Sequence, residues 1–126
     1  MGRTVPRKQV IKVPVIRLST NKSIEDNQKK ELAVQLGQAI EIVPNKAYEK
    51  STIIIEDNCC IYRGGEPAQS VFIEVRFNEK IAFEYKDTYT AKAFEIVQSI
   101  LDVPYEHTAI NFLEMVQNWG SKGKLK

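Results

Sequence analysis

Four segments of the chain carry the hydrophobic patterns of β-strands. They are residues 13–20, 51–57, 70–77 and 108–115. The third alternates most clearly, because one of its faces would hold Val71, Ile73, Val75 and Phe77. The second, "STIIIED", has a continuous apolar run, which is typical of a buried strand.

Two further segments show the spacing of an α-helix. The first has one apolar face, formed by Leu32, Leu36, Ile40 and Val43. This helix is predicted to begin with Ser23 as its cap and Asp26 in its first turn, and to stop at Pro44. The second helix is predicted over residues 87–102, with an inward face formed by Tyr89, Ala93, Phe94, Val97, Ile100 and Leu101.

The order strand, helix, strand therefore occurs twice, which predicts an α+β fold. Two β-α-β units side by side give a four-stranded sheet with both helices on one face. Because such crossovers are right-handed, the two strands within each unit should be parallel. The other sheet face is left uncovered, and the apolar strands predict that further subunits cover it, so we expect an oligomer.

Composition and charge narrow the class of protein. The chain has 126 residues, 43% of them hydrophobic and 27% charged, which fits one globular domain. No apolar run approaches the roughly 18 residues of a membrane span, and no signal peptide is recognisable, so we expect a cytoplasmic protein without a membrane partner.

The net charge of +2 conceals basic tails at both ends. We expect these tails to be solvated and not to bind nucleic acid, because no aromatic stripe accompanies them.

The sequence gives little support for a metal site or for thiol chemistry. Cys59 and Cys60 are adjacent, so as strand residues they would point to opposite faces and stay reduced. His107 is the only histidine, and one histidine does not make a metal cluster. We expect no metal and no cofactor.

Several motifs occur in an order that resembles that of the tautomerase superfamily. They are "PVIRLSTN" opening a strand, "QLGQAI" ending a helix, a lysine at Lys46, "GGEP", "VPYEHTAINF" and "NWG". The chain is most similar to the macrophage migration inhibitory factor branch, in particular its small prokaryotic members. The resemblance covers residues 14–120, preceded by an extension over residues 1–13 and followed by a basic tail over residues 121–126. It implies the same double β-α-β fold, assembled as a ring-like trimer.

The resemblance also implies a reaction. In this family an N-terminal proline is the general base that interconverts the keto and enol forms of small α-keto acids of the phenylpyruvate type. Pro14 is the matching residue. A free α-amino group has a pKa near ~7.7–8.0, and burial or a nearby cation lowers it, so a neutral amine is available at pH 7. An amide nitrogen cannot act in this way, because its lone pair is delocalised into the carbonyl.

Pro14 follows Val13 in the sequence, and two explanations compete. Val13 is the true start, translated as methionine from a GTG codon and then removed, so that Pro14 is freed. Alternatively the extension is real, and the chain is a non-catalytic trimeric interaction protein of the same fold. We favour the first, because the resemblance begins abruptly at Pro14.

Lys46 matches the family's substrate-binding lysine, since it lies 32 residues after Pro14. It would hold the substrate carboxylate and lower the pKa of the amine, whereas the alternative is a solvated loop lysine. Phe77 lies roughly where a backbone amide of the third strand contacts the substrate.

The remaining candidates come from the C-terminal part of the chain. Asn111 matches an asparagine at the pocket rim and could equally be a strand-edge residue. Phe112 and Trp119 would line an aromatic pocket, or else belong to the core. Ala109 stands where animal members carry a pocket tyrosine, which puts high activity on aromatic keto acids in doubt.

Overall fold

The computed structural model describes residues 14–125. Its main sheet consists of β1 (Val15–Thr20), β2 (Thr52–Glu56), β5 (Val71–Phe77) and β6 (Thr108–Glu114). Two short hairpins contain β3 (Tyr62–Arg63) with β4 (Glu66–Pro67), and β7 (Gly120–Ser121) with β8 (Lys124–Leu125). The helices are α1 (Asp26–Ala39) and α2 (Phe83–Leu101), and one-turn 3-10 helices span Ile40–Ile42, Tyr48–Lys50 and Tyr105–His107.

The sheet has the predicted architecture. Its strand order is β2-β1-β5-β6, with β1 parallel to β2, β5 parallel to β6, and β1 antiparallel to β5. The predicted α+β fold, with two parallel β-α-β units and both helices on one face, is confirmed. Within residues 14–125, neither helix has the length and hydrophobicity needed to cross a bilayer.

The core lies between the sheet and the two helices. The strand β5 alternates as predicted, because Val71, Ile73, Val75 and Phe77 are all buried. The predicted inward face of the first helix is also confirmed, since Leu32 and Leu36 in α1 and Ile40 and Val43 just after it are buried. These side chains supply most of the hydrophobic stabilisation, at ~25 cal/mol per Å² of apolar surface removed from water.

The helix boundaries differ from the predictions at both N-termini and at the C-terminus of α1, which ends at Ala39, before the predicted stop at Pro44. α1 begins at Asp26 and not after Ser23, because Gln28 accepts the Glu25 backbone N–H at 3.1 Å and so caps the first turn. α2 begins at Phe83, four residues before the predicted start. It ends at Leu101, where Asp102 adopts a left-handed φ of 57°.

Three further predictions are corrected. β2 is an edge strand whose residues are half-buried or exposed, and not a buried strand. Cys59 and Cys60 are free thiols in the irregular segment after β2, and neither is a strand residue. Phe94 is only half-buried and packs edge-to-face on Tyr105. Residues 1–13, with the predicted start of the first strand at residue 13, lie outside the described residues.

Candidate active site

Pro14 lies at the entrance to β1. It is buried, and its carbonyl accepts the Thr52 backbone N–H at 3.0 Å, which fixes it beside β2. The β1–β5 register pairs Val15 with Arg76, so Pro14 stands one step further along, beside Phe77 at the end of β5. Strand alternation places the Pro14 ring on the helix-covered side of the sheet, like Ile16.

Lys46 reaches the same end of the sheet from the loop after α1. Its side chain is 0% exposed, and its Nζ donates to Glu79 Oε2 at 2.6 Å. The Nζ also lies 5.5 Å from the ring centroid of Phe77, within the range of a cation–π contact. The alternative of a solvated loop lysine is therefore wrong.

The aromatic residues at this end form a continuous group. The rings of Phe77 and Phe112 are parallel, with centroids 6.2 Å apart, and Tyr89 meets Phe112 edge-on at 6.3 Å. Phe112 is partly buried and packs against the core. The structure therefore brings Pro14, Lys46, Phe77 and Phe112 together on one side of the sheet.

Asn111 and Trp119 lie on the opposite side. Asn111 is exposed and pairs in register with Glu74, on the face that the helices leave open. Trp119 borders a cavity of about 270 Å³ on that face, whose lining includes Arg17 and Arg76. Within one chain these two residues do not face Lys46.

Position Ala109 is also on the open face. It is exposed and pairs in register with Phe72 of β5. A tyrosine here would point away from Lys46 of the same chain.

The loop that follows β5 carries two groups that the sequence did not indicate. One is Glu79, the ion-pair partner of Lys46. The other is Asn78, whose buried Oδ1 has no hydrogen-bond partner among the described residues. A buried acceptor without a donor is unfavourable, so Asn78 offers an unused acceptor next to Phe77.

This loop is held in place from β6. The Met115 backbone N–H donates to the Phe77 carbonyl at 2.8 Å. Glu114 accepts from the Ile81 backbone N–H at 2.9 Å and from Lys86 Nζ at 2.8 Å. The hydrogen bond from Lys86, followed by that from Ile81, lowers the pKa of the Glu114 carboxyl.

The two acidic residues at the end of β2, Glu56 and Asp57, have structural partners. Glu56 accepts from Arg17 at 3.0 Å and from Ser19 at 2.9 Å. Asp57 accepts the Ile24 backbone N–H at 3.0 Å, and this bond is the main cause that lowers the pKa of its carboxyl. No group of three metal-ligating side chains occurs within residues 14–125.

No protein-family model matches the chain. No curated protein matches its sequence either.

Solved structures do resemble it. MIF2 of Leishmania major has a TM-score of 0.80 at 15% identity, covering 90% of this chain and 97% of that chain. A fused 4-OT asymmetric trimer has a TM-score of 0.79 at 20% identity, covering 88% and 94%. The protein Pt0534, in a crystal structure inactivated by 2-oxo-3-pentynoate, has a TM-score of 0.77 at 14% identity, covering 86% and 93%. The chain therefore has the fold that macrophage migration inhibitory factor and 4-OT structures display.

Proposed function

We propose that this protein is a keto–enol tautomerase for small 2-oxo acids, with Pro14 as its base and Lys46 as its carboxylate anchor. The observation that carries the proposal is a buried ammonium at the end of the sheet where Pro14 stands. A buried cation beside an amine can orient an anionic substrate and keep the amine neutral. The inactivation of a similarly folded protein by 2-oxo-3-pentynoate supports a 2-oxo acid as the substrate class.

The reaction needs only one proton to move. The neutral ring nitrogen of Pro14 removes a proton from the carbon next to the ketone, and negative charge develops on the ketone oxygen. Backbone N–H groups near Phe77 stabilise that charge, and the protonated ring nitrogen then returns the proton to the oxygen. No cofactor is needed, because the proton removed from carbon is the one that oxygen receives.

This chemistry requires that Pro14 be the first residue of the mature chain. A peptide bond from Val13 would make its nitrogen an amide, without a basic lone pair. We therefore propose that the active protein starts at Pro14, with residues 1–13 absent.

Residues on the open sheet face would reach the site of a neighbouring subunit when the protein assembles. We propose a homotrimer, in which Asn111 and Trp119 of one subunit lie at the mouth of the neighbouring subunit's site. A similarly folded structure is a fused 4-OT trimer, which supports this assembly. The aromatic rings of Phe77 and Phe112 suit a phenylpyruvate-type side chain.

The test compares three proteins in phenylpyruvate tautomerisation: the chain from Pro14 onward, the full 126-residue chain, and the short chain with Pro14→Gly. We expect activity only in the first, with the other two lower by about 10²–10⁴-fold, which is the usual contribution of a general base. Equal rates in all three proteins would remove the mechanism.

A second candidate is a trimeric interaction protein of the same fold without catalysis. Two observations favour it: the sequence places Val13 before Pro14, and Lys46 is already paired with Glu79. It predicts that the chain from Pro14 onward assembles normally and yet leaves the spontaneous rate of phenylpyruvate tautomerisation unchanged.

A further inference from the structure

The Lys46–Glu79 pair combines a fully buried cation with a partly exposed anion. The Lys46 side chain is 0% exposed, whereas that of Glu79 is 33% exposed. An ammonium loses its hydration on burial and needs an opposite charge and hydrogen bonds to remain ionised. Glu79 supplies both at 2.6 Å, and its carboxylate is the part of the pair that meets solvent.

Both partners are carried by segments with fixed backbones. On one side, the Lys46 backbone N–H donates to the Val43 carbonyl at 3.2 Å. On the other side, Glu79 lies in the loop that Glu114 holds through the Ile81 backbone N–H. The pair therefore brings together two anchored segments and does not result from one flexible side chain folding back.

We propose that Glu79 is an internal competitor, which occupies the carboxylate position at Lys46 and sets how tightly this site binds anionic ligands. The ligand class, a small carboxylate with an apolar body, rests on the proposed function. A ligand carboxylate that reaches Lys46 takes the place of one that is already there. The Glu79 side chain is 33% exposed, so water can reach its carboxylate when a ligand displaces it from Lys46.

A ligand carboxylate should therefore bind weakly at Lys46, because it competes with Glu79. Exchange of one carboxylate for another at the same ammonium changes the electrostatic energy little, so the ligand gains affinity mainly from its apolar body. Removal of the negative charge of Glu79 leaves Lys46 with a neutral partner and removes repulsion between two carboxylates. Binding of an anion should then tighten by about tenfold or more, the usual size of a charge-assisted hydrogen bond.

The experiment measures the Kd of 3-phenylpropionate, a carboxylate that has no ketone and cannot tautomerise, by calorimetric titration of the full chain. We expect Glu79→Gln to lower the Kd by about tenfold or more. The control is Glu95→Gln, because Glu95 also pairs with a lysine, Lys92 at 3.0 Å, but on the exposed surface of α2. It should leave the Kd unchanged.

Two more variants keep the test decisive. Glu79→Asp keeps the charge but shortens its reach, so its Kd should fall between those of the wild type and Glu79→Gln, and it serves if Glu79→Gln does not fold. The double variant Lys46→Met with Glu79→Gln should lose the gain, because the tighter binding depends on Lys46. A Kd in Glu79→Gln that equals or exceeds the wild-type value, or undetectable binding in both, would overturn the proposal.

These outcomes separate the two proposals. Tighter binding in Glu79→Gln without tautomerisation by the chain from Pro14 onward rejects the enzyme and keeps the competitor. Tautomerisation with no change in Kd keeps the enzyme and rejects the competitor.

Discussion

Tyr89 shows how one polar atom can matter in the core. Its ring is fully buried, and its hydroxyl donates to the Leu36 carbonyl at 3.0 Å. At this point α1 tightens into a 3-10 turn, and the Ile40 N–H donates to the carbonyls of Gly37 and Gln38. Tyr89 therefore satisfies a carbonyl near the end of the helix, and burial raises the pKa of its hydroxyl.

Tyr89→Phe should lower the free energy of unfolding by about 1–2 kcal/mol, because the buried carbonyl loses its hydroxyl donor while the ring remains. Urea denaturation measures the change. The control is Tyr105→Phe, since Tyr105 is exposed and keeps its edge-to-face contact with Phe94 through the ring. An equal loss in both variants would show that the Tyr89 hydroxyl has no special role.

For Lys46, the sequence predicted the residue but not its surroundings. The spacing from Pro14 identified it as a candidate, but its burial and its partner Glu79 were not predicted. An ion pair between residues 33 positions apart depends on how two loops meet, and no local pattern reports that. The useful signal would have been physical: a lysine placed in the core needs a nearby carboxylate, and Glu79 closely follows the neighbouring strand.

At the scale of elements, the packing faces were predictable and the boundaries were not. The alternation of β5 and the apolar face of α1 both follow from periodicity, because burial selects one side of each element. The start of α1 depends on the side chain of Gln28, which competes with the more obvious cap at Ser23. β2 looked buried because Ile53, Ile54 and Ile55 are consecutive, although an edge position exposes part of each.

The connection between β5 and α2 depends on an ionised Glu114. Since the Lys86 and Ile81 hydrogen bonds lower the pKa of this carboxyl, its contribution to stability is present above the unfolded-state value of about 4.5 and is lost as the pH falls through the lower folded-state pKa. Glu114→Gln should therefore lower the free energy of unfolding by about 1 kcal/mol at pH 7, a modest value because the pair is partly exposed.

Denaturant unfolding of wild type and Glu114→Gln at several pH values tests this expectation. The difference between the two proteins should be largest near neutrality and should shrink below pH 4.5, where the wild-type carboxyl becomes protonated as well. A difference that does not change between neutral and acidic pH would contradict an ionic role for Glu114.

At the scale of the whole molecule, the open sheet face is the main unexplained surface of a single chain. It carries apolar side chains, among them Phe72, which is 39% exposed, and half-buried Ile54 and Leu113. The apolar strands in the sequence predicted such a face and favoured other subunits as its cover. A single chain does not specify how the copies meet, since that depends on contacts outside it.

If a trimer covers the open face, a charge at Phe72 should disrupt assembly. We expect Phe72→Glu to shift the protein from trimer to monomer in analytical ultracentrifugation, because a buried, unpaired carboxylate is costly at an interface. The matched control is Phe83→Glu, since Phe83 is 77% exposed at the start of α2, away from the open face. Loss of the trimer in both variants, or in neither, would count against assembly through this face.

The proposed catalytic mechanism requires that the ring nitrogen of Pro14 be free in the protein that cells make. Its most direct test is the intact mass of the protein purified from its natural source, with sequencing of its first residues. We predict a chain that starts at Pro14. A chain that retains Val13 or any earlier residue before Pro14 would contradict the catalytic account, while the fold would stand.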